Sequence, residues 1–172
     1  MEIAKKKYYL NPNEFAVLVA NVGVKTLYGI HSLKAVDSKE MCKVMHSLYT
    51  NQIIDNPEGK SFSVQQEMKE ILYDIRDSRY MVTLESEQLA LAICCYLGGN
   101  VIMVYESQGK LAIVSKTQDE FIEDTKSFVS EAEIKIYVRQ SATGEELKAL
   151  SLKEEGCEEQ LKQILEEYCR EV

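Results

Sequence analysis

Apolar residues recur at steps of three and four through the first half of the chain, and at alternate positions through much of the second. Phe15, Leu18, Val19 and Val22 share one face of a helix that the sequence also punctuates. Asn11 stands at the N-cap, Pro12 at the first helical position, Glu14 three residues after the cap and Gly23 just past the end. A connector, VKTLYGIHSL, follows. Asp37 with Glu40 then opens a second helix, whose buried side is Met41, Val44, Met45, Leu48 and Tyr49. DNPEGK is turn chemistry, because Asn-Pro initiates a turn and Gly59 is free to take a positive φ. Ser63 with Gln66 is expected to cap a third helix with Val64, Met68, Ile71, Leu72 and Ile75 as its stripe.

From Tyr80 the period becomes two. YMVTL, LALAICCYL, NVIMVYES and KLAIVSK read as strands, joined by short turns at GGN and SQG. SEQLALAI is also a tolerable helix opening, so the start of 85–97 stays open between helix and strand. TQDEFIEDTKSFVS is a helix capped by Thr117 with Glu120, turning Phe121, Ile122, Thr125, Phe128 and Val129 inward. EIKIYVRQ alternates cleanly and is expected to be the last strand. TGEELKALSLKEEGCEEQLKQILEEYCREV reads as one helix broken near Gly156, or as two. The fold class is α+β, with an α+β unit at 1–142 and a C-terminal helical arm at 143–172. Within the former, 12–75 is helical and winged-helix-like, and 80–139 forms a mostly antiparallel sheet with a crossover helix. No period of the length that makes a solenoid is visible.

The stretch MHSLYTNQIIDNPEGKSFSVQQEMKEIL has the order of a winged helix: helix, short two-stranded turn, helix. Its cations are Lys60 and Lys69, opposed by Asp55, Glu58, Glu67 and Glu70. The preceding helix offers Lys39 and Lys43, and no arginine occurs before Arg76. Phosphate binding needs clustered cations, and bidentate guanine readout favours arginine. Lys5, Lys6 and Lys7 are the one basic cluster. Side-chain inventory therefore argues against nucleic acid, and a winged-helix regulator with a sensing or dimerisation module is the alternative function.

Composition sharpens this. The 172 residues carry a net charge of −8, and residues 143–172 hold nine acidic against four basic side chains. An apolar fraction of 45% with 28% charged is ordinary for a globular protein. No apolar run approaches the ~20 residues of a membrane-spanning helix, so no membrane insertion is expected. The opening MEIAKKKYYLNPNEF lacks the apolar core of a signal peptide, and a cytoplasmic location is expected. Five cysteines, at 42, 94, 95, 157 and 169, show no CxxC spacing, which argues against a disulfide framework.

Catalytic and metal candidates are few. Cys42 and His46 lie one helical turn apart, but a site needs a third ligand, and the other histidine, His31, sits in the connector. A core cysteine beside a surface histidine explains the pair as well. Cys94 and Cys95 are adjacent on a strand and so face opposite sides. Asp119, Glu120, Glu123 and Asp124 group at a helix start, where the dipole favours acidic residues whether or not they do chemistry. LGGN lacks both the Lys-Ser/Thr of a phosphate loop and the spacing of a dinucleotide loop. No enzyme, no cofactor and no metal is expected. The feature weighed toward function is the apolar seam Leu161, Ile164, Leu165 and Tyr168 on the last helix, which packs on its own domain or meets a partner helix.

The order of these segments resembles the EspG family of cytosolic chaperones from type VII secretion systems. LNPNEFAVLVANVGVKTLYGI is similar to the family's opening helix. The winged stretch is similar to its helix, turn and aromatic-containing segment. LGGNVIMVYESQGKLAIVSKTQDEFIEDTKSFV is similar to its paired strands and following helix. The resemblance covers about residues 10–140. It implies a non-enzymatic protein that holds helical secretion substrates, built from two similar halves of which this chain supplies one with a helical arm. The partner is then a helical protein, or self in a homodimer.

Overall fold

The structure is a computed structural model and describes residues 6–24, 26–29, 38–55 and 62–169. In chain order come β1 (Tyr8–Leu10), α1 (Pro12–Asn21), α2 (Ser38–Thr50), β2 (Ile54–Asp55), β3 (Ser63–Val64) and α3 (Gln66–Asp77). They are followed by β4 (Tyr80–Ser86), β5 (Leu91–Leu97), β6 (Val101–Ser107), β7 (Lys110–Lys116), α4 (Gln118–Glu131), β8 (Ile134–Gln140), β9 (Glu146–Leu152) and α5 (Cys157–Tyr168). Seven strands form one sheet in the order β1-β7-β6-β5-β4-β8-β9, and every neighbouring pair is antiparallel. The fold is α+β, with the five helices of the described residues on the two faces of this sheet.

Alternation along each strand assigns side chains to faces. On the first face Met81, Tyr96, Ile102 and Ile113 meet Phe15 and Leu18 of α1, Leu48 of α2, and Met68, Leu72 and Ile75 of α3. On the second, Val82, Leu84, Cys95, Met103, Ile136 and Val138 meet Phe121 and Ile122 of α4, and Leu161, Ile164 and Leu165 of α5. Cys94 packs in the first cluster and Cys95 in the second, as their adjacency on a strand requires.

The helix signals act where the residues suggest. Asn11 N–H donates to Glu14 Oε1 at 3.1 Å, and Glu14 Oε2 accepts from the Ser47 hydroxyl at 3.3 Å, tying α1 to α2. Gly23 takes φ 89° just beyond α1. Thr117 Oγ1 accepts from Glu120 N–H and Glu120 Oε1 accepts from Thr117 N–H, a reciprocal cap at the start of α4. Gln108 and Gly109, both at positive φ, form the tight β6–β7 turn.

Three expectations are corrected and one open reading is decided. Gln65 rather than Ser63 caps α3, its side chain accepting from Met68 N–H at 3.1 Å, while Ser63 pairs with Asp55 in the short β2–β3 ribbon. Tyr49 is 55% exposed and does not join the buried side of α2, which rests on Val44 and Leu48. At the start of 85–97, left open between helix and strand, residues 87–90 form a turn and β5 follows from Leu91. Glu146–Leu152 is a strand, not part of a C-terminal helix. The last has a clear cause: Gly144 at φ 77° turns the chain back, and Gly144 N–H donates to Gln140 O at 2.9 Å. Leu150 and Leu152 then lie opposite Ile136 and Ile134 over the second core. That burial outweighs the weak helix propensity of Glu, Leu, Lys and Ala. Asp37, expected to open α2, lies outside the described residues.

Candidate functional site

The two halves of the sheet differ in how they are covered. Along β4 and β6 nearly every residue is buried or half-buried, because helices lie on both faces. On β8 the pattern alternates: Ile134, Ile136 and Val138 are buried, while Lys135 is exposed and Tyr137 and Arg139 are half-buried. On β9 Ala149 and Ser151, opposite Tyr137 and Lys135, are exposed, and so is Leu147 at the irregularity opposite Val138 and Arg139. α1 packs over β7 and α3 over β5 and β6, and among the described residues no helix covers β8 and β9 on that side.

The floor of this strip has a definite chemistry. Tyr137 and Ala149 are opposite each other across the β8–β9 pair, and Leu147 lies beside them, 41% exposed. The Arg139 guanidinium carbon stands 5.0 Å from the Tyr28 ring centre and 5.2 Å from that of Tyr137, a cation held between two aromatic faces. Arg139 also donates to Gly144 O at 3.2 Å. Tyr28 is fixed in turn, since its N–H donates to Ser141 O at 2.9 Å and its carbonyl accepts the Tyr96 hydroxyl at 2.7 Å. Arg139 is thus a rigid wall between the covered and uncovered parts of the sheet. At the far end a shallow cavity of about 330 Å³ is lined by Glu85, Ser86, Glu87, Gln88, Glu133, Lys135 and Tyr137. Glu85 and Lys135 are cross-strand partners there.

The residues singled out from sequence are placed elsewhere. Leu161, Ile164 and Leu165 are 0%, 1% and 4% exposed in the second core, and the Tyr168 ring meets that of Tyr80 edge-on at 5.1 Å. The seam of α5 is therefore filled by the chain's own sheet. A partner meeting α5 in this state would touch its acidic outer side. Cys42 and His46 are both exposed on α2, and His31 lies outside the described residues. Among the described residues no group of three or more His, Cys, Asp and Glu side chains could hold a metal ion. Burial pushes the Cys94 thiol up to about 11, does the same for Cys169, and raises Cys95 well above the usual range. All three are inert as thiolate nucleophiles at neutral pH.

The acidic group on α4 has structural partners: Glu120 caps the helix, Asp124 pairs with Lys116 at 3.2 Å and Glu123 with Lys126 at 3.5 Å. Of LGGN, Gly98 is needed for a close approach, since a Cβ there would sit 3.3 Å from Asp74 O. Of the cations weighed for DNA, Lys39 and Lys43 are exposed on α2, while several others have aromatic or acidic neighbours. Lys6 lies over Tyr8, Lys7 over Tyr105 and Lys69 over Tyr73, while Arg76 pairs with Asp77 at 2.9 Å. Lys5 and Lys60 lie outside the described residues.

Sequence reasoning missed Tyr137, Arg139, Leu147 and Ala149. A signal was present: EIKIYVRQ alternates apolar and polar more cleanly than any other strand, the mark of a strand buried on one side. Among the described residues no helix is long and apolar enough to cross a membrane. No protein-family model, no curated protein and no solved structure matches the chain.

Proposed function

We propose that the chain is a non-enzymatic cytoplasmic binding protein, a chaperone or adaptor for a helical protein partner of the kind used in type VII-like secretion. The observation that carries this reading is that, among the described residues, no helix covers this face of β8 and β9. Two strands span about 10 Å, and a helix with its side chains is about 10–12 Å across. One helix therefore fits beside α3. Its apolar stripe would rest on Tyr137, Ala149 and Leu147, and acidic flanking residues would suit Lys135 and Arg139. The segment order shared with EspG-like chaperones points to the same class of partner.

The β2–β3 ribbon between α2 and α3 favours a second reading, a winged-helix transcriptional regulator. Its basic side chains are few, which weighs against it. Co-expression with the small helical proteins encoded beside this chain, followed by affinity purification, tests the first reading. A stoichiometric complex supports it. Failure of every neighbour to co-purify, together with retardation of random duplex DNA that falls steeply with salt, supports the regulator instead.

A further inference from the structure

Each end of the sheet exposes an edge, and the two differ. β1 at one end is three residues long, too short to template much pairing. β9 at the other is seven residues long and pairs only with β8 among the described residues. Its outer backbone groups have no strand partner there, Leu147 beside them is 41% exposed, and Ala149 and Ser151 are exposed too. A long edge of this kind is a template for another strand.

The residues of β9 and its flanks indicate which strand fits. We propose that two copies of this chain pair their β9 strands antiparallel about Ala149, joining the two sheets edge to edge. In that register Ala149 meets its own counterpart, Leu147 faces Ser151, Lys148 faces Leu150 and Glu146 faces Leu152. Just beyond the strand, Glu145 faces Lys153, and the two-fold axis repeats this opposite-charge pair at the other end. Glu145 and Lys153 are both exposed, so each is available to a second copy. No like charges stand opposite each other. The registers centred on Lys148 and Leu150 lose this, setting Lys148 against itself or Glu146 against Glu154, and one centred on Leu147, although it sets Glu146 against Lys148, places the axis on the irregularity of β9 opposite Val138 and Arg139. Opposite charges directly across a strand pair favour it and like charges disfavour it, and with the regular stretch 148–152 of β9 this favours the Ala149 register. Lys148 is a common guard on a strand edge, but here its stem lies against Leu150 of the second copy and its ammonium reaches water. The uncovered strips of the two copies become neighbours across the new seam.

The association is read on the purified chain alone, so its failure is separate from failure to bind a helical partner. Sedimentation velocity of the full chain should show a monomer–dimer equilibrium below about 200 μM, the range set by one strand pair and little else. Glu145→Lys and Lys153→Glu should each raise the dissociation constant about tenfold, as two favourable pairs become two repulsive ones. The double variant, which swaps the charges, should return it to within about threefold of the original. In a Cys42→Ser background, Ala149→Cys should form a covalent dimer on mild oxidation, since directly opposed Cβ atoms lie about 4.5–5.5 Å apart. Leu147→Cys in the same background should not. A chain that stays monomeric at that concentration, a dimer indifferent to both single charge reversals, a double variant that is not restored, or an Ala149→Cys chain that does not cross-link would each overturn the proposal.

Discussion

The hydroxyl of Tyr96 on β5 donates to the carbonyl oxygen of Tyr28 at 2.7 Å, tying the connector after α1 to the middle of the sheet. Tyr96 is 1% exposed, so its hydroxyl is held away from bulk water while the Tyr28 side of the bond is part-buried. Tyr96→Phe keeps the ring and leaves the Tyr28 carbonyl without this partner. A loss of about 1–3 kcal/mol in unfolding free energy is expected, read from urea titration, because an unpaired buried acceptor keeps its full desolvation cost. A variant as stable as the wild type would show that the connector is not anchored here.

Gly144 carries a second constraint on the same tyrosine. It takes φ 77°, and a Cβ added there would overlap the Tyr28 ring. Gly144→Ala combines a left-handed backbone with a clash and should cost about 2 kcal/mol or more. Gly99, with nothing near its added Cβ, is the control: Gly99→Ala should change stability by less than about 0.5 kcal/mol. Equal effects at the two positions would contradict this account of the turn.

Titration separates the thiols and the buried phenol. Burial raises Cys94 from 9.0 to about 11, and burial with the Glu67 carboxylate raises Tyr8 from 10.0 to about 12. Both groups hold their protons longer in the folded chain than in the unfolded one. Their contribution to stability is complete below the unfolded values of 9.0 and 10.0 and is lost as pH rises through the folded values of about 11 and about 12. The urea midpoint should fall across that window, and less steeply in Tyr8→Phe. At about pH 8 a thiol reagent should modify exposed Cys42 first, with Cys94, Cys95 and Cys169 reacting only on unfolding. Rapid reaction of a second thiol would place one of these residues in a more open setting.

α5 belongs to the core. Leu161 is fully buried against the second face of the sheet, and Leu161→Ala should cost about 2–5 kcal/mol. A helix that served as a detachable arm would tolerate the change with little loss. Thermal unfolding followed by far-UV circular dichroism distinguishes the two.

Most of the fold was legible from local chemistry. The Pro12, Glu14, Thr117 and Glu120 signals mark real helix starts, and the alternation from Tyr80 onward marks real strands, because each is decided within a few neighbouring residues. β9 was not legible as a strand. Glu146, Leu147, Lys148 and Ala149 are good helix formers, and only the burial of Leu150 and Leu152 against a distant part of the chain overrules them. The candidate site was hidden for the same reason. Arg139 acquires its place from Tyr28, more than a hundred residues away, and the seam Leu161, Ile164, Leu165 and Tyr168 drew attention because its covering sheet could not be seen. The winged outline of MHSLYTNQIIDNPEGKSFSVQQEMKEIL survives as α2, the β2–β3 ribbon and α3, and α3 turns its apolar stripe onto the sheet.

The central proposal is that a helical partner lies on the strip of β8 and β9 that no helix covers among the described residues. Tyr137 is the largest side chain on that floor and lies one strand in from the β9 edge, so replacing it leaves the edge residues unchanged. The most direct test is the affinity of the co-purified helical partner for Tyr137→Ser against wild type, by calorimetry, with circular dichroism confirming the fold. Removing a central aromatic anchor should weaken binding at least about tenfold. An unchanged affinity in a folded Tyr137→Ser chain would place the partner elsewhere and contradict the account.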